Sequence, residues 1–420
     1  MKVSKMGCLP VLMCALQSIL FAQQQQHKVL FVIADGIPAD VIESAHKPAI
    51  DSIIQAGTYI HSFTGGIANT YSQMPTISAP GYNNLLTGTW AYKHNVFTNG
   101  IQNPNYHYIH ILRLLKEQNP QNNVAVFSSW LDNRTKLLGD GLPQAGNFKA
   151  DIHFDGYELD TLRFPHDVAH QYMHLIDKTV VAKADSVIRS SGPDASWIYL
   201  EYTDDMGHMH GTSSDAYQQA VTYLDQQMDS IWRAIQYREQ HFNENWLLII
   251  TTDHGRDAQT GRNHGGQSER ERTTWIVMNT KDLNEYAQKD TPAVVDIFPT
   301  IARFMQVPIP TKFQYELDGV PMLGPVSAAH PSVTMQNDSL KIHWQSFSAH
   351  EPVKIYYSST NSFKTGGVDT YQLAGTVINQ QQHFAIPLPS NHGNFYKVVI
   401  EGLHNTVNAW YFPETAKLAE

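Results

Sequence analysis

The chain has 420 residues, of which 42% are hydrophobic, 11% aromatic and 16% charged, a globular balance far from the charge-rich, aromatic-poor signature of disorder. Its net charge of -10 provides no global positive field to draw it to nucleic acid, so no nucleic-acid-binding surface is expected. Histidine is abundant, with 21 residues, and the two cysteines, Cys8 and Cys14, both lie near the start.

Residues 1–22 place Lys2 and Lys5 before an apolar stretch and end on small Ala22, the pattern of a secretory signal cleaved near Ala22. Pro10 and Gln17 interrupt that stretch, so no stable membrane span is expected. The mature chain is then secreted or periplasmic and contains no thiol, leaving His and carboxylate as the ligands for any zinc.

From residue 28 short apolar runs alternate with longer mixed stretches, which predicts strands alternating with helices around a mostly parallel sheet. The runs cover 29–34, 124–128, 197–202, 246–252 and 274–278. Helical spacing links Ile109, Leu112, Leu114 and Leu115, and again Val221, Leu224, Met228 and Ile231. Near residue 328, after Pro308, Pro310, Pro321 and Pro325, the texture becomes strand-like throughout. The expected organisation is a signal at 1–22, an α/β domain at 23–327 and a small accessory β-sandwich at 328–420, resembling a fibronectin type III module.

Three of the runs lead into acidic residues, Asp35, Asp204 and Asp253. Ligands of open α/β sheets bind beyond the carboxyl ends of the strands, so three carboxylates placed there can share one crevice. His208, His254 and His264 lie close to them in sequence, and Asp with His and no Cys suits zinc. Ser78 precedes Pro80 and a helix-compatible stretch. At a helix start, its hydroxyl would sit beside free amides and the positive end of the dipole, which favours phosphoryl transfer.

The stretches 29–36 (VLFVIADG), 75–80 (PTISAP) with LLTG at 85–88 and His94, 199–211 (YLEYTDDMGHMHG) and 252–255 (TDHG) resemble the alkaline phosphatase superfamily, in particular its type I phosphodiesterase/nucleotide pyrophosphatase branch. Segments 294–308 and 317–323 are similar to the ends of such catalytic domains. The resemblance implies an alkaline-phosphatase-like layered α/β/α domain and a site for two Zn²⁺ ions, or Mn²⁺ in their place. It assigns Asp35, Ser78, Asp253 and His254 to one ion, and Asp204, His208 and His264 to the other. His210 rivals His208, Asp205 neighbours Asp204, and His330 and His343 are alternatives to His264. Ser78 stands where the branch usually has threonine, and Gly81 replaces an asparagine that contacts substrate phosphate, leaving Asn83 or Asn84 to supply that contact.

The expected function is hydrolysis of small-molecule phosphoric esters through a phosphoseryl intermediate on Ser78, of the phosphodiesterase/nucleotide pyrophosphatase type. The alternatives are an alkaline-phosphatase-like monoesterase, a sulfatase and a non-catalytic binding protein. Tyr82 occupies the position where sulfatases need arginine, and Arg256, Arg262, Lys93 and Arg134 are the cations that could fold over a terminal phosphate. Oligomeric state is not legible.

Overall fold

Strand β1 (Gln26–Ala34) is buried on both faces from Val29 onward, as the centre of a parallel sheet requires. Its alternate side chains divide between two cores: Val29, Phe31 and Ile33 enter one, and Leu30, Val32 and Ala34 the other. A computed structural model describes residues 25–412. The leader assigned to 1–22 lies outside the described residues. Among these, no helix is long and apolar enough to cross a membrane.

With β2 (Thr58–Phe63), β3 (Val124–Ser128), β4 (Ile152–Phe154), β5 (Ala195–Leu200), β6 (Glu244–Thr251) and β7 (Thr273–Met278), β1 builds a seven-stranded sheet in the order β2-β7-β6-β1-β5-β3-β4. β6, β1, β5, β3 and β4 run parallel, and β7 opposes both of its neighbours. Helices Gln171–Ser191 and Asp215–His241 contribute Ile176, Val180, Val221, Leu224, Met228 and Ile231 to the core on one face. Helices Ser78–Thr87, Ile111–Gln118 and Ile297–Phe304 cover the other. The fold is thus mixed α/β around a large, mostly parallel sheet.

Two strands of this sheet have no counterpart among the apolar runs. β2 is an edge strand of mixed polarity, and β4 has only three residues. The run 197–202 also ends differently: β5 stops at Leu200, and Tyr202 already begins the helix Tyr202–His210.

Beyond residue 327 the chain forms β8 (Ala328–Met335), β9 (Ser339–Ser346), β10 (Pro352–Ser358), β11 (Gln372–Ile378), β12 (His383–Pro387), β13 (Tyr396–Glu401) and β14 (Thr406–Tyr411). They make two antiparallel sheets, β11-β10-β13-β14 and β12-β9-β8. Pro331 falls where the β8 ladder is interrupted between Ala329 and Ser332, which is where a residue without an N–H is tolerated. The apolar cluster over the first face of the large sheet continues without a break into Leu340, Ile342, Val353, Ile355, Val398 and Ile400.

A buried ionic network crosses the same boundary. Lys93 Nζ donates to Asp318 Oδ1 at 2.6 Å and Asn408 Oδ1 at 2.9 Å, while Lys397 Nζ reaches Glu316 Oε1 at 2.5 Å and Asp369 Oδ2 at 2.7 Å. Removing one member of a buried pair strands the other charge. Lys93→Met is therefore expected to cost about 3–5 kcal/mol of stability in urea unfolding, and a loss below about 1 kcal/mol, the scale of an exposed pair, would contradict that burial.

Candidate active site

β6, β1 and β5 are neighbours in parallel register, with Ile33 opposite both Thr251 and Tyr199, so the segments leaving their carboxyl ends must meet in one crevice. Asp35 comes directly after β1. Asp253 comes two residues after β6, and Asp204 lies in the first turn of the helix after β5. Gly36 turns at φ +67°, and a Cβ there would come within 2.5 Å of Asp204 Oδ1. The turn and the close approach both require glycine.

Ser78 opens the helix Ser78–Thr87, with Ile77 in the cap position, so its hydroxyl is not spent as a cap. Pro80 is accommodated in the first turn, where a missing N–H breaks no helical bond. The expected cradle of free amides is narrower than the sequence suggested. Asn99 Oδ1 accepts the Ala79 N–H at 2.9 Å, Pro80 has none, and the Gly81 N–H bonds Ile77 O at 2.9 Å. The Ser78 amide and the positive end of the helix remain for an anion.

Three oxygens converge on one imidazole nitrogen. His254 Nε2 lies 3.3 Å from Ser78 Oγ, 3.4 Å from Asp35 Oδ1 and 3.3 Å from Asp253 Oδ2. His254 Nδ1, 3.0 Å from Gly255 O, is placed to carry the proton and leave Nε2 a lone pair. Asp35 Oδ1 and Asp253 Oδ2 are buried and have no hydrogen-bond partner. Their companion oxygens are held, Asp253 Oδ1 by the Gly36 N–H at 3.2 Å and Asp35 Oδ2 by the hydroxyls of Tyr82 and Tyr199. Burial, reinforced by neighbouring carboxylates, pushes Asp35 up to about 7 and Asp253 well above the usual carboxylate range. Two buried carboxylate oxygens, a serine hydroxyl and a neutral imidazole facing one point form a donor set that fits a divalent cation.

A second set adjoins it. Asp204 and His208, four residues apart on one helix face, meet with Oδ2 3.2 Å from Nε2, and His264 Nε2 lies 3.1 Å from His208 Nε2. The His264 Nδ1 faces Thr76 O at 2.9 Å, which orients its Nε2 toward the cluster. His264 also stacks on His254 with centroids 3.7 Å apart, and Asp204, His254 and His264 are themselves close enough to share an ion. Burial raises the Asp204 carboxyl, but Arg256 and His208 outweigh it and hold the group below its usual range. Asp204 Oδ1 is taken by fully buried Arg256, whose Nε also donates to Gly36 O at 3.0 Å.

The structure therefore brings together Asp35, Ser78, Asp253 and His254, and beside them Asp204, His208 and His264. It places the rival residues elsewhere. Asp205 pairs with His170 at 2.8 Å, His330 with Asp290 at 3.2 Å, His343 lies on β9, and His210 is exposed at the end of its helix. Asn83 and Asn84 are buried deeper in the serine helix, where Asn84 Oδ1 faces His94 Nε2 at 2.9 Å. Asn99, which sequence reasoning missed, is the carboxamide that holds the Ala79 amide, one residue after Ser78. It sits on an exposed loop with no periodicity to flag it. Tyr199 is hidden inside an apolar strand run, whereas Tyr82 has a legible signal, four residues after Ser78 on the same helix face.

Of the four candidate cations, three are committed to carboxylates: Arg256 to Asp204, Lys93 to Asp318, and Arg134 to Asp155 and Asp140. Arg262 is exposed. Gly81 also has a geometric reason, since a Cβ there would lie 2.9 Å from Asp253 Cβ. Gly81→Ala is expected to destabilise by about 1–3 kcal/mol through overpacking. Thermal unfolding checks this, and an unchanged midpoint would mean that the helix can back away from Asp253.

The family described as type I phosphodiesterase / nucleotide pyrophosphatase matches residues 29–300. GPI ethanolamine phosphate transferase 2 of Schizosaccharomyces pombe is 24% identical over 67% of this chain and 37% of its own length. Ectonucleotide pyrophosphatase/phosphodiesterase family member 7 of Rattus norvegicus is 25% identical over 56% of this chain and 51% of its own. The chain thus spans about half or less of these relatives. Among solved structures, Ps i-CgsB in complex with k-i-k-neocarrahexaose superposes with a TM-score of 0.51 at 15% identity, over 77% of this chain and 86% of that one, a likeness of fold alone.

Proposed function

Because the chain belongs to the type I phosphodiesterase/nucleotide pyrophosphatase family, we propose that it is a secreted, metal-dependent hydrolase of phosphoric esters acting through a phosphoseryl intermediate on Ser78. The observation that carries this reading is the placement of Ser78 Oγ, at a helix start, 3.3 Å from His254 Nε2 and beside two partnerless carboxylate oxygens. Asp35, Asp253, His254 and Ser78 would hold one Zn²⁺, and Asp204, His208 and His264 a second. The ions would supply Lewis-acid stabilisation of the charge that develops on attacking and leaving oxygens.

The protein's own part is positioning. Ser78 Oγ gives its proton to solvent and attacks phosphorus in line, the Ser78 Oγ–P bond forms, and the bond to the departing oxygen breaks, that oxygen taking a proton from water to leave as the alcohol. Water then attacks the phosphoseryl group and loses a proton to solvent, the Oγ–P bond breaks, and Ser78 Oγ regains a proton as the hydroxyl. The helix dipole and the Ser78 amide present positive charge to the phosphate oxygens. With Arg256 spent on Asp204, Lys93 on Asp318 and Arg134 on Asp155 and Asp140, three of the four candidate cations are taken by carboxylates and only exposed Arg262 remains of them to meet a doubly charged terminal phosphate, which supports diesters and pyrophosphates over monoesters.

A transferase is the second reading, because one relative is named an ethanolamine phosphate transferase; the first displacement would be shared, and an alcohol would replace water in the second. We further propose that the two antiparallel sheets beyond residue 327 form a fibronectin type III-like sandwich with an accessory role. The discriminating experiment compares kcat/KM for p-nitrophenyl phosphate, bis-p-nitrophenyl phosphate, a nucleotide pyrophosphate and p-nitrophenyl sulfate, with and without added glycerol as acceptor. The diester is expected to be cleaved faster than the monoester, with free phosphate ester as product. Faster monoester cleavage would make the protein a monoesterase, sulfate cleavage would make it a sulfatase, and a glycerol adduct as main product would make it a transferase.

A further inference from the structure

Each carboxylate of the cluster has one oxygen facing inward and one held from behind, but the holding groups differ in kind. Asp204 is held by a guanidinium, which spends part of its charge, whereas Asp35 is held by two neutral phenols. Tyr199 Oη donates to Asp35 Oδ2 at 2.8 Å, Tyr82 Oη donates to the same oxygen, and the two hydroxyls are 2.8 Å apart. Nothing partners Asp35 Oδ1, which faces His254 Nε2 at 3.4 Å.

We infer that Tyr82 and Tyr199 form a positioning pair that fixes which oxygen of Asp35 faces the ion pocket and thereby sets the affinity of the ion held by Asp35, Asp253, His254 and Ser78. The inference rests on the proposed ligand set. Its physical basis is the symmetry of a free carboxylate, which can turn about Cβ–Cγ and present either oxygen. Two donors on one oxygen remove that freedom without neutralising the charge the ion needs. The pair reaches Asp35 from two elements, Tyr199 from β5 beside Ile33 of β1, and Tyr82 from the serine helix. Tyr82 lies one turn after Ser78 and so also ties the nucleophile's helix to the carboxylate opposite it. Both rings are packed, with the two tyrosine centroids 4.8 Å apart and Trp130 edge-on to Tyr82 at 6.4 Å, so the hydroxyls have little room to wander.

The test uses the full mature chain with Tyr82→Phe, Tyr199→Phe and both together. Zinc affinity is read by competition with a chromogenic chelator, the unfolding midpoint with and without zinc, and kcat at saturating zinc. Each single variant is expected to weaken one of the two ions by about 10- to 100-fold and to shrink the zinc-induced rise in midpoint while leaving the metal-free midpoint near wild type. Because both hydroxyls act on one oxygen, the double variant is expected to lose less than the product of the two single effects. Folded variants that keep both zinc affinities within about twofold of wild type overturn the inference, as does a lowered metal-free midpoint with an unchanged zinc-induced rise, the signature of a purely structural role. A wild type that binds no zinc overturns the proposed function as well, whereas a wild type that binds two ions beside an unaffected double variant overturns this inference alone. Tyr199→Phe, which removes a hydroxyl and no ring, carries the test if the double variant does not fold.

Discussion

Ser78→Ala is expected to lower phosphate diester turnover by about 10³-fold or more while both ions remain bound. Loss of an attacking group removes the transition state it makes and not merely a contact. The other donors facing the pocket, Asp35 Oδ1, Asp253 Oδ2 and His254 Nε2, keep their places, because Asp253 and Asp35 are held from behind by Gly36 and the two tyrosines. Steady-state kinetics with elemental analysis of the same preparation separates the two effects. Near-wild-type turnover in a fully metallated variant would mean that water attacks phosphorus directly.

Asp253→Ala is expected to do the opposite, removing an ion first and activity as a consequence. It deletes one of the two buried oxygens that lack a partner, and loss of outer partners alone weakens metal binding by about 10- to 100-fold, so loss of a charged direct ligand, unlike loss of the neutral Ser78 hydroxyl, should exceed that range. His208→Ala is expected to release the other ion. The second set should be the more readily stripped by chelator in wild type, because its carboxylate Asp204 shares its charge with Arg256, while the first set has two carboxylates facing no cation. Elemental analysis after graded chelation reads both claims. Loss of both ions together from each variant would show that the two sets are one cooperative site.

Part of this arrangement was legible because a parallel sheet gathers the carboxyl ends of its strands at one edge. Once 29–34, 197–202 and 246–252 read as strands, Asp35, Asp204 and Asp253 could share one crevice, whereas their grouping with Ser78, His208, His254 and His264 around two ions followed from the family resemblance. That β1 and β6 are neighbours and that Asp204 and His208 share a helix face are seen only in the structure. Ser78 at a helix start was implied by Pro80 and the residues after it. The supporting residues were not legible, since they act through contacts between elements far apart in sequence. Tyr199 looked like one more apolar-run residue, Asn99 reached Ala79 from a loop without periodic signal, and Arg256 gave no sign that it would be buried behind Asp204. The change of texture near residue 328 was visible, but a local pattern carries no information about packing partners. The continuous core and the Lys93 and Lys397 network across that point emerge only in three dimensions.

The central claim, two successive in-line displacements through Ser78, is tested most directly by the stereochemical course at phosphorus. A chiral phosphorothioate diester is turned over by the zinc-loaded protein in isotopically labelled water, and the configuration of the product is determined. Each in-line displacement inverts phosphorus, so attack by Ser78 and then by water predicts overall retention. Overall inversion would mean a single displacement by water and would contradict the phosphoseryl mechanism.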